Sequence, residues 1–517
     1  MVRAPAAATV ERVGRHRDHV AEVVGLAVIV VAGVWLRLAG VTSHGLWRDD
    51  AWVALSSRVS IGTALRMGAT APGFTLVERA WILLDPGSSR WAQVLPVALG
   101  AVGIVTMFGL ARYLGLSAWL SVATAAFVAF SPVTITYSTH VKQYSIDLVL
   151  ACVLMALGEA ARRQPGRRWL GALAVGSCVG LVISASVVVV IIGVWSMLLL
   201  ASRRDRRRRR RVVMAGALTG AACASVGLLL YSHLSSALHL FWSQQHRFLE
   251  ATPVDRFVPR LVTIASTAVF KAQSGPGVST WVGIALVVVA LIGATAGSRV
   301  WSSALALAAA LTAAVLGLIP WGTGRTDEAV YPALALLIAF GVERLARVAA
   351  DRAPAVPVEP IVAVVIGAVL TLGMLRADVE HPAVYPAVDA RLLMTEVAAH
   401  EHAGDLVFLS SSTRYPWVLQ SPDRPRLVFG SGWGAGYTVT STRPDEFIAP
   451  SYSWEIGYRP GQWARRTTTA TRLWFVGGGF PPSRHDLEYR AIVAAGWRPV
   501  TVLRAAGSVA VLMTRPG

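Results

Sequence analysis

Apolar runs of about the length that crosses a bilayer, closed by short polar segments, recur along the first 375 residues. They cover residues 23–41, 91–110, 118–135, 144–157, 212–231, 282–296, 302–319, 331–342 and 361–375. A further run, 170–200, is too long for one ordinary span. One tilted helix there would leave the arginine block 203–211 outside. Two short helices turning near Ser184 and Ser186 keep it inside, and the positive-inside rule selects two. The pattern therefore predicts a polytopic α-helical membrane protein of about eleven spans. Every strongly basic short loop then falls on the cytoplasmic side.

The polar N-terminal tail, 1–22, carries Arg3, Arg12, Arg15 and Arg17, which places it in the cytoplasm. No small-residue cleavage site follows the first run, so that run reads as an anchor. The membrane domain, 23–375, holds two large external loops, 42–90 and 232–280; the second contains the aromatic-basic stretch FWSQQHRF. Beyond 375 the pattern changes. DLVFLSS, RLVFG and RLWFVGG read as short buried strands, and VDARLLMTEVAAHEH and RHDLEYRAIVAAG as helices. RPVTVLRAAGSVAVLMTR reads as a terminal hairpin turning at Ala506–Gly507. Residues 376–517 are thus expected to form an extracytoplasmic α/β domain. Its GSGWGAG (430–436) follows a strand but leads into no clear helix, so a turn explains it better than a nucleotide site.

Composition agrees with the pattern. Hydrophobic residues make up 54% and charged residues 15%, less charge than a soluble chain of this size carries. The net charge of +19 sits in short clusters between apolar runs, which argues for membrane loops and against nucleic-acid binding. Cys152, Cys178 and Cys223 lie inside apolar runs and form neither a disulfide framework nor a metal spacing. Only two of the basic residues are lysines, Lys142 and Lys271. The arginine and alanine bias points to a GC-rich bacterial genome.

Two external stretches could carry chemistry. GLWRDDAW (45–52) puts adjacent carboxylates, Asp49 and Asp50, at a membrane edge between tryptophans. Neighbouring carboxylates repel, so one is expected to hold its proton more tightly and to serve as a general base. A polar loop with aspartates facing water explains the same residues equally well. YSTHVKQYSID (137–147) collects His140, Lys142, Tyr144 and Asp147 on the same side. On a helix His140 and Tyr144 would share a face. His140 is a candidate metal ligand or hydrogen-bond donor, and Lys142 a candidate partner for a phosphate oxygen. A snorkelling interfacial lysine in an aromatic belt is the plainer alternative. Arg37 lies inside the first span; packing or snorkelling to the outer face is expected, although an intramembrane charge is also a functional candidate.

These stretches carry a resemblance. LWRDDAW resembles the acidic motif, usually Asp-Glu, of GT-C membrane glycosyltransferases that use polyprenyl-phosphate sugars. YSTHVKQYSID resembles the S-Q-E-x-K/R-x-Y-S segment of the bacterial glycosyltransferase 39 and RgtA/B/C/D-like group. APGF (71–74), RWAQVLP (90–96) and GRTDEAVYPALALL (324–337) fall where that group has similar segments. The likeness is good over about residues 23–200, looser to 345, and absent beyond. It implies a GT-C fold and transfer of a hexosyl or pentosyl group from a polyprenyl-phosphate donor in a bacterial plasma membrane. The acceptor would be a cell-envelope glycan, lipid or protein. By position Asp49 matches the catalytic aspartate, Lys142 the basic residue and Tyr144 the tyrosine. Asp50 and His140 both stand where glutamate is usual, which weakens a carboxylate site for a divalent metal ion, the one cofactor the resemblance suggests. Arg48, Arg58, Lys142 and Arg325 are candidates to meet the leaving phosphate. A transporter or flippase of lipid-linked saccharides is the alternative, and a non-catalytic assembly protein a third reading. A transporter would want ionisable groups or broken helices near the midplane, whereas this chain gathers its polar residues at the outer edge.

Overall fold

The computed structural model describes residues 5–68, 70–231, 242–243, 247–250, 254–269, 278–352, 387–421, 426–429, 437–449, 470–478 and 487–515. The expected eleventh span and the GSGWGAG cluster lie outside these. The helices in chain order are α1 (Pro5–Ala39), α2 (Arg48–Ala54), α3 (Ile61–Arg66), α4 (Pro72–Ile82), α5 (Ser89–Tyr113), α6 (Ala118–Phe130), α7 (Pro132–Ser138) and α8 (Tyr144–Arg163). They continue with α9 (Arg167–Ile183), α10 (Val188–Ala201), α11 (Arg206–Tyr231), α12 (Val254–Leu261), α13 (Thr263–Val269), α14 (Val278–Ala294), α15 (Trp301–Val315) and α16 (Tyr331–Arg352). Helices thus lie over ten of the eleven expected spans. Among the described residues five helices are long and apolar enough to cross a membrane, or six if the bent pair α6–α7 is one span. Val24, Val28, Val31 and Trp35 of α1 and Leu218, Leu228 and Leu229 of α11 are exposed. Helices apolar on their outer faces need an apolar surrounding such as lipid.

The basic loops meet at one end of the bundle. Arg163 donates to the carbonyl of Tyr113, Arg208 to that of Arg162, Arg299 to that of Gly115, and Arg344 to that of Thr295. The Arg208 bond settles how the 170–200 run folds. Chain leaving the basic end at the start of α9 is back there after α10, so the run is two helices, with the break at 184–187. Helix α5, 25 residues long, spans roughly 37 Å. It carries the chain from the opposite end, where Gln93 bonds the backbone of Thr42, to this one.

One expected span is not continuous. The 118–135 run bends by 55° between α6 and α7. Pro132 has no N–H, so the carbonyl of Val128 loses its helical partner. Arg37, fully buried in α1, fills the gap. Its Nη1 donates to the carbonyls of Gly33 and Ala129, and its Nη2 to the carbonyl of Val128 and to Thr134 Oγ1. Of the two expected roles, packing and snorkelling, the first holds: this arginine packs inward, where the bend leaves backbone acceptors. Arg37→Met is expected to cost about 2–3 kcal/mol, because the buried carbonyl of Ala129 loses its donor and that of Val128 keeps only the Thr134 hydroxyl. The thermal midpoint of the detergent-solubilised protein should drop by several degrees. An unchanged midpoint would mean the bend is satisfied without it.

The described residues beyond 386 fold on a five-stranded sheet of order β4-β1-β5-β7-β6, in which β1 (Leu406–Leu409) pairs in parallel with β4 (Glu446–Ile448) and β5 (Arg472–Gly478). The hairpin β6 (Arg498–Ala505) and β7 (Ser508–Thr514) adds antiparallel to β5. β2 (Arg426–Phe429) and β3 (Tyr437–Thr440) form a separate ribbon. Helices α17 (Ala390–His400), α18 (Arg414–Gln420) and α19 (Leu487–Ala494) complete it. Phe408, Leu473, Phe475, Ile492, Trp497 and Val511 form the core on one face. On the other, Trp474, Leu409 and Trp417 share a core with Leu46, Ala51 and Val53 of the α2 region. Gly45 makes this approach at φ +118°, and a Cβ there would lie 2.0 Å from the carbonyl oxygen of Val388. A short bridge then joins Leu46 to Val388.

Candidate active site

Three segments distant in sequence converge at the end of the bundle away from the basic loops: α2, the loop between α7 and α8, and the turn before α16. In α2 the two aspartates stand in the first turn, where their charge suits the helix dipole. Successive helical residues point in different directions, and the two carboxylates divide accordingly.

Asp49 faces Arg325. Arg325 Nη2 lies 2.7 Å from Asp49 Oδ2, and its Nε donates to the Tyr144 hydroxyl at 3.2 Å. The guanidinium lies 5.2 Å from the Trp47 ring centroid and 5.6 Å from that of Trp242. The turn that presents it is self-knit. Asp327 accepts from the backbone N–H of Thr323 and Gly324, and Thr323 Oγ1 accepts from those of Arg325 and Thr326. Gly324 takes φ +74°, close against Tyr137 and Val133, which a residue with a Cβ would resist. Arg48 adds a second cation, its Nε 3.5 Å from Asp49 Oδ1.

Asp50 has another task. Its Oδ2 lies 2.7 Å from His140 Nδ1, and its Oδ1 accepts from the Val141 N–H at 3.0 Å. It thereby holds the 139–143 loop against α2, and Lys142 with it. Lys142 is buried, its Nζ 5.2 Å from the Trp52 ring centroid. Because Asp50 fixes this loop, residues 139–143 are not helical. The expectation that His140 and Tyr144 share a helix face is corrected; both rings pack instead on Tyr137.

The electrostatics depart from the expectation of mutual repulsion. Burial raises the Asp49 pKa, but Arg325, Lys142 and Arg48 outweigh it and hold the carboxyl well below the usual range. Burial lowers Lys142 to about 8, opposed by Asp49 and assisted by Arg325. One carboxyl beside the site that holds its proton more tightly than usual carries no motif. Glu78, in α4, is fully buried, and neither of its carboxyl oxygens has a hydrogen-bond partner. Burial, and then the charge of Asp50, push it up to about 8. The available signal was faint: a glutamate beside an arginine, Glu78–Arg79, in the otherwise mostly apolar TLVERAW.

Glu78 therefore links stability to pH. Between its ordinary 4.5 and about 8 the folded chain keeps a proton that the unfolded chain releases. Its contribution is complete below 4.5 and is lost as pH rises through 8. Glu78→Gln, neutral at every pH, should flatten the fall in thermal midpoint between pH 6 and pH 8. Parallel falls in wild type and variant would show that Glu78 is not the group responsible.

Arg48, His140, Lys142, Tyr144 and Arg325 gather with the two aspartates, but Arg58 does not share this role. Its Nη1 donates to the carbonyls of Leu419 and Ser421, both at 2.6 Å, tying the 42–90 segment to the C-terminal unit. A divalent cation fits poorly. Asp49 and Asp50 are engaged by Arg325 and by His140 with the Val141 N–H, and among the described residues no three His, Cys, Asp or Glu side chains converge. Chemically the site offers one carboxylate in contact with a mobile-length cation, a second buried cation, and aromatic walls.

No protein-family model and no curated protein sequence matches the chain. The structure is similar to that of ArnT from Cupriavidus metallidurans in the apo state, with a TM-score of 0.53 at 13% identity over 94% of this chain and 97% of that one. It is similar to ArnT bound to undecaprenyl phosphate with a TM-score of 0.52 at 15% identity, over 95% and 97%. An Archaeoglobus fulgidus oligosaccharyltransferase in the apo form gives 0.47 at 10% identity, over 77% and 63%. At these identities the likeness is one of fold: the chain takes the GT-C glycosyltransferase fold that the motifs around Asp49 imply.

Proposed function

We propose that the chain is an integral-membrane glycosyltransferase that moves a sugar from a polyprenyl-phosphate donor to a cell-envelope acceptor, on the extracytoplasmic face of a bacterial plasma membrane. The observation that carries this reading is the Asp49–Arg325 contact beside Lys142 and Arg48. A base and a set of phosphate-binding cations stand together at the end of the bundle away from the basic loops. The positive-inside rule puts those loops in the cytoplasm and Asp49 outside. The ArnT structure bound to undecaprenyl phosphate supports a lipid donor of this class.

In this mechanism Asp49 takes the proton of an acceptor hydroxyl. The oxygen attacks the anomeric carbon, the bond from that carbon to the phosphate oxygen breaks, and polyprenyl phosphate leaves with the electron pair. Asp49 paired with Arg325 is a weak base. When the donor phosphate arrives, Arg325 shifts toward it, and Asp49 loses the cation that held its pKa down. Arg325, Lys142 and Arg48 then meet the charge growing on the leaving oxygen. Asp50 and His140 position the Lys142 loop. In this reading the C-terminal unit, packed on α2 through Trp52 and Tyr415 with ring centroids 5.4 Å apart, helps bind the acceptor.

Direct displacement inverts the anomeric centre. The expected product therefore carries the configuration opposite to the donor's, read from its anomeric proton coupling by NMR. A product of retained configuration would rule out single displacement with Asp49 as base.

A further inference from the structure

The basic end of the bundle holds a cavity of about 340 Å³, lined in part by Thr295, Arg299, Phe340, Glu343, Arg344 and Arg347. We propose that it binds the phosphate-bearing headgroup of an anionic phospholipid. The inference rests on the membrane reading of the helices and is independent of the sugar chemistry.

Charge is the first reason. Three guanidiniums surround one carboxylate. Glu343 is buried; Arg347 Nη2 lies 2.5 Å from one of its oxygens and Arg299 Nη2 3.8 Å from the other. That leaves an excess of positive charge in a partly enclosed space. Geometry is the second. Arg299 lies 5.1 Å from the Phe340 ring centroid, so its plane is fixed by an apolar floor. Arg344 Nη1 bonds both the carbonyl and the hydroxyl of Thr295, at 3.0 and 2.7 Å, which leaves its remaining donors to face a ligand. Planar arginine forks match the oxygens of a phosphate group.

Position selects a lipid over free phosphate. The cavity sits where the apolar part of α16 gives way to its basic last turns. Leu345 and Val348, next to Arg344 and Arg347 in sequence, are exposed apolar residues that acyl chains would cover. The volume is in the range of small-ligand sites and accommodates a glycerophosphate group. Basic pockets between helices at this depth recognise anionic headgroups.

The test uses the full-length protein in detergent, stripped of lipid and offered phosphatidylglycerol, cardiolipin or phosphatidylcholine. Retained lipid is counted by native mass spectrometry. Wild type should retain the two anionic lipids and not phosphatidylcholine. Arg344→Gln with Arg347→Gln should lower retention roughly thirtyfold, since each basic residue near a headgroup contributes about a factor of five. Arg344→Lys with Arg347→Lys should keep most of it, which separates loss of charge from loss of folding. Equal retention by the Gln pair and wild type would overturn the proposal. So would inorganic phosphate binding to wild type with no retention of either anionic lipid.

Discussion

Asp49→Asn is expected to lower kcat by about a thousandfold and to leave the lipid donor bound. The amide keeps the shape of the side chain but cannot take the acceptor's proton. Its neutral oxygen also releases Arg325, which remains free to hold the donor phosphate. Binding and chemistry should therefore separate: donor affinity is kept or raised, and single-turnover transfer collapses. Asp50→Asn is a different experiment. Asp50 accepts from the Val141 N–H and contacts His140, so its loss loosens the Lys142 loop and should weaken donor binding as well. If Asp49→Asn transferred at the wild-type rate, the contact with Arg325 would be a structural ion pair and the base would have to be sought elsewhere.

Arg325→Gln should reduce kcat by about 10²–10³-fold and should also move the pH profile. Two buried groups respond to this one cation. Arg325 holds Asp49 down, so its removal raises the Asp49 pKa toward the ordinary carboxylate range and shifts the acid limb of kcat/KM to higher pH. Arg325 also lowers Lys142, which stands near 8; its removal shifts the alkaline limb, where transfer fails as Lys142 loses its proton, upward too. Arg325→Lys keeps the charge but gives up the fork that reaches Asp49 and Tyr144 together. It should recover part of the rate and most of the wild-type profile. A variant with reduced rate and an unmoved profile would make Arg325 a packing residue.

Local features of the chain were legible in the sequence. Apolar runs and basic loops located the helices, and the arginine block at 203–211 correctly divided the 170–200 run at Ser184. The terminal hairpin turned at Ala506–Gly507, and the strands starting near Leu406, Arg426 and Arg472 fell where the apolar runs placed them, although Val428 of the second is exposed rather than buried. Others escaped: β3 (YTVT) and β4 (EFI) carry no apolar run like those of β1 and β5, and α18 breaks its apolar residues with Arg414 and Pro416. The site was half legible. Its members could be named from motifs, but their partners could not. Asp49 meets Arg325 across 276 residues, and Arg37 reaches Ala129 across 92. No local pattern encodes such pairings. Asp49 binds its proton less tightly than a free carboxylate because a cation faces it. Arg37 turns inward because a proline opens the backbone there. Glu78 was missed because an adjacent Glu78–Arg79 pair in a short helix looks like a surface pair until burial is known.

The measurement that tests the central claim most directly is sugar transfer by the purified protein in proteoliposomes. Wild type and Asp49→Asn would be offered a panel of radiolabelled polyprenyl-phosphate sugars with an envelope acceptor extract. The expected result is label moving from one donor to the acceptor, matched by equal release of polyprenyl phosphate, in wild type only. Labelled lipid crossing the bilayer with its sugar still attached, equally in both proteins, would contradict the account and make the chain a carrier of lipid-linked saccharides.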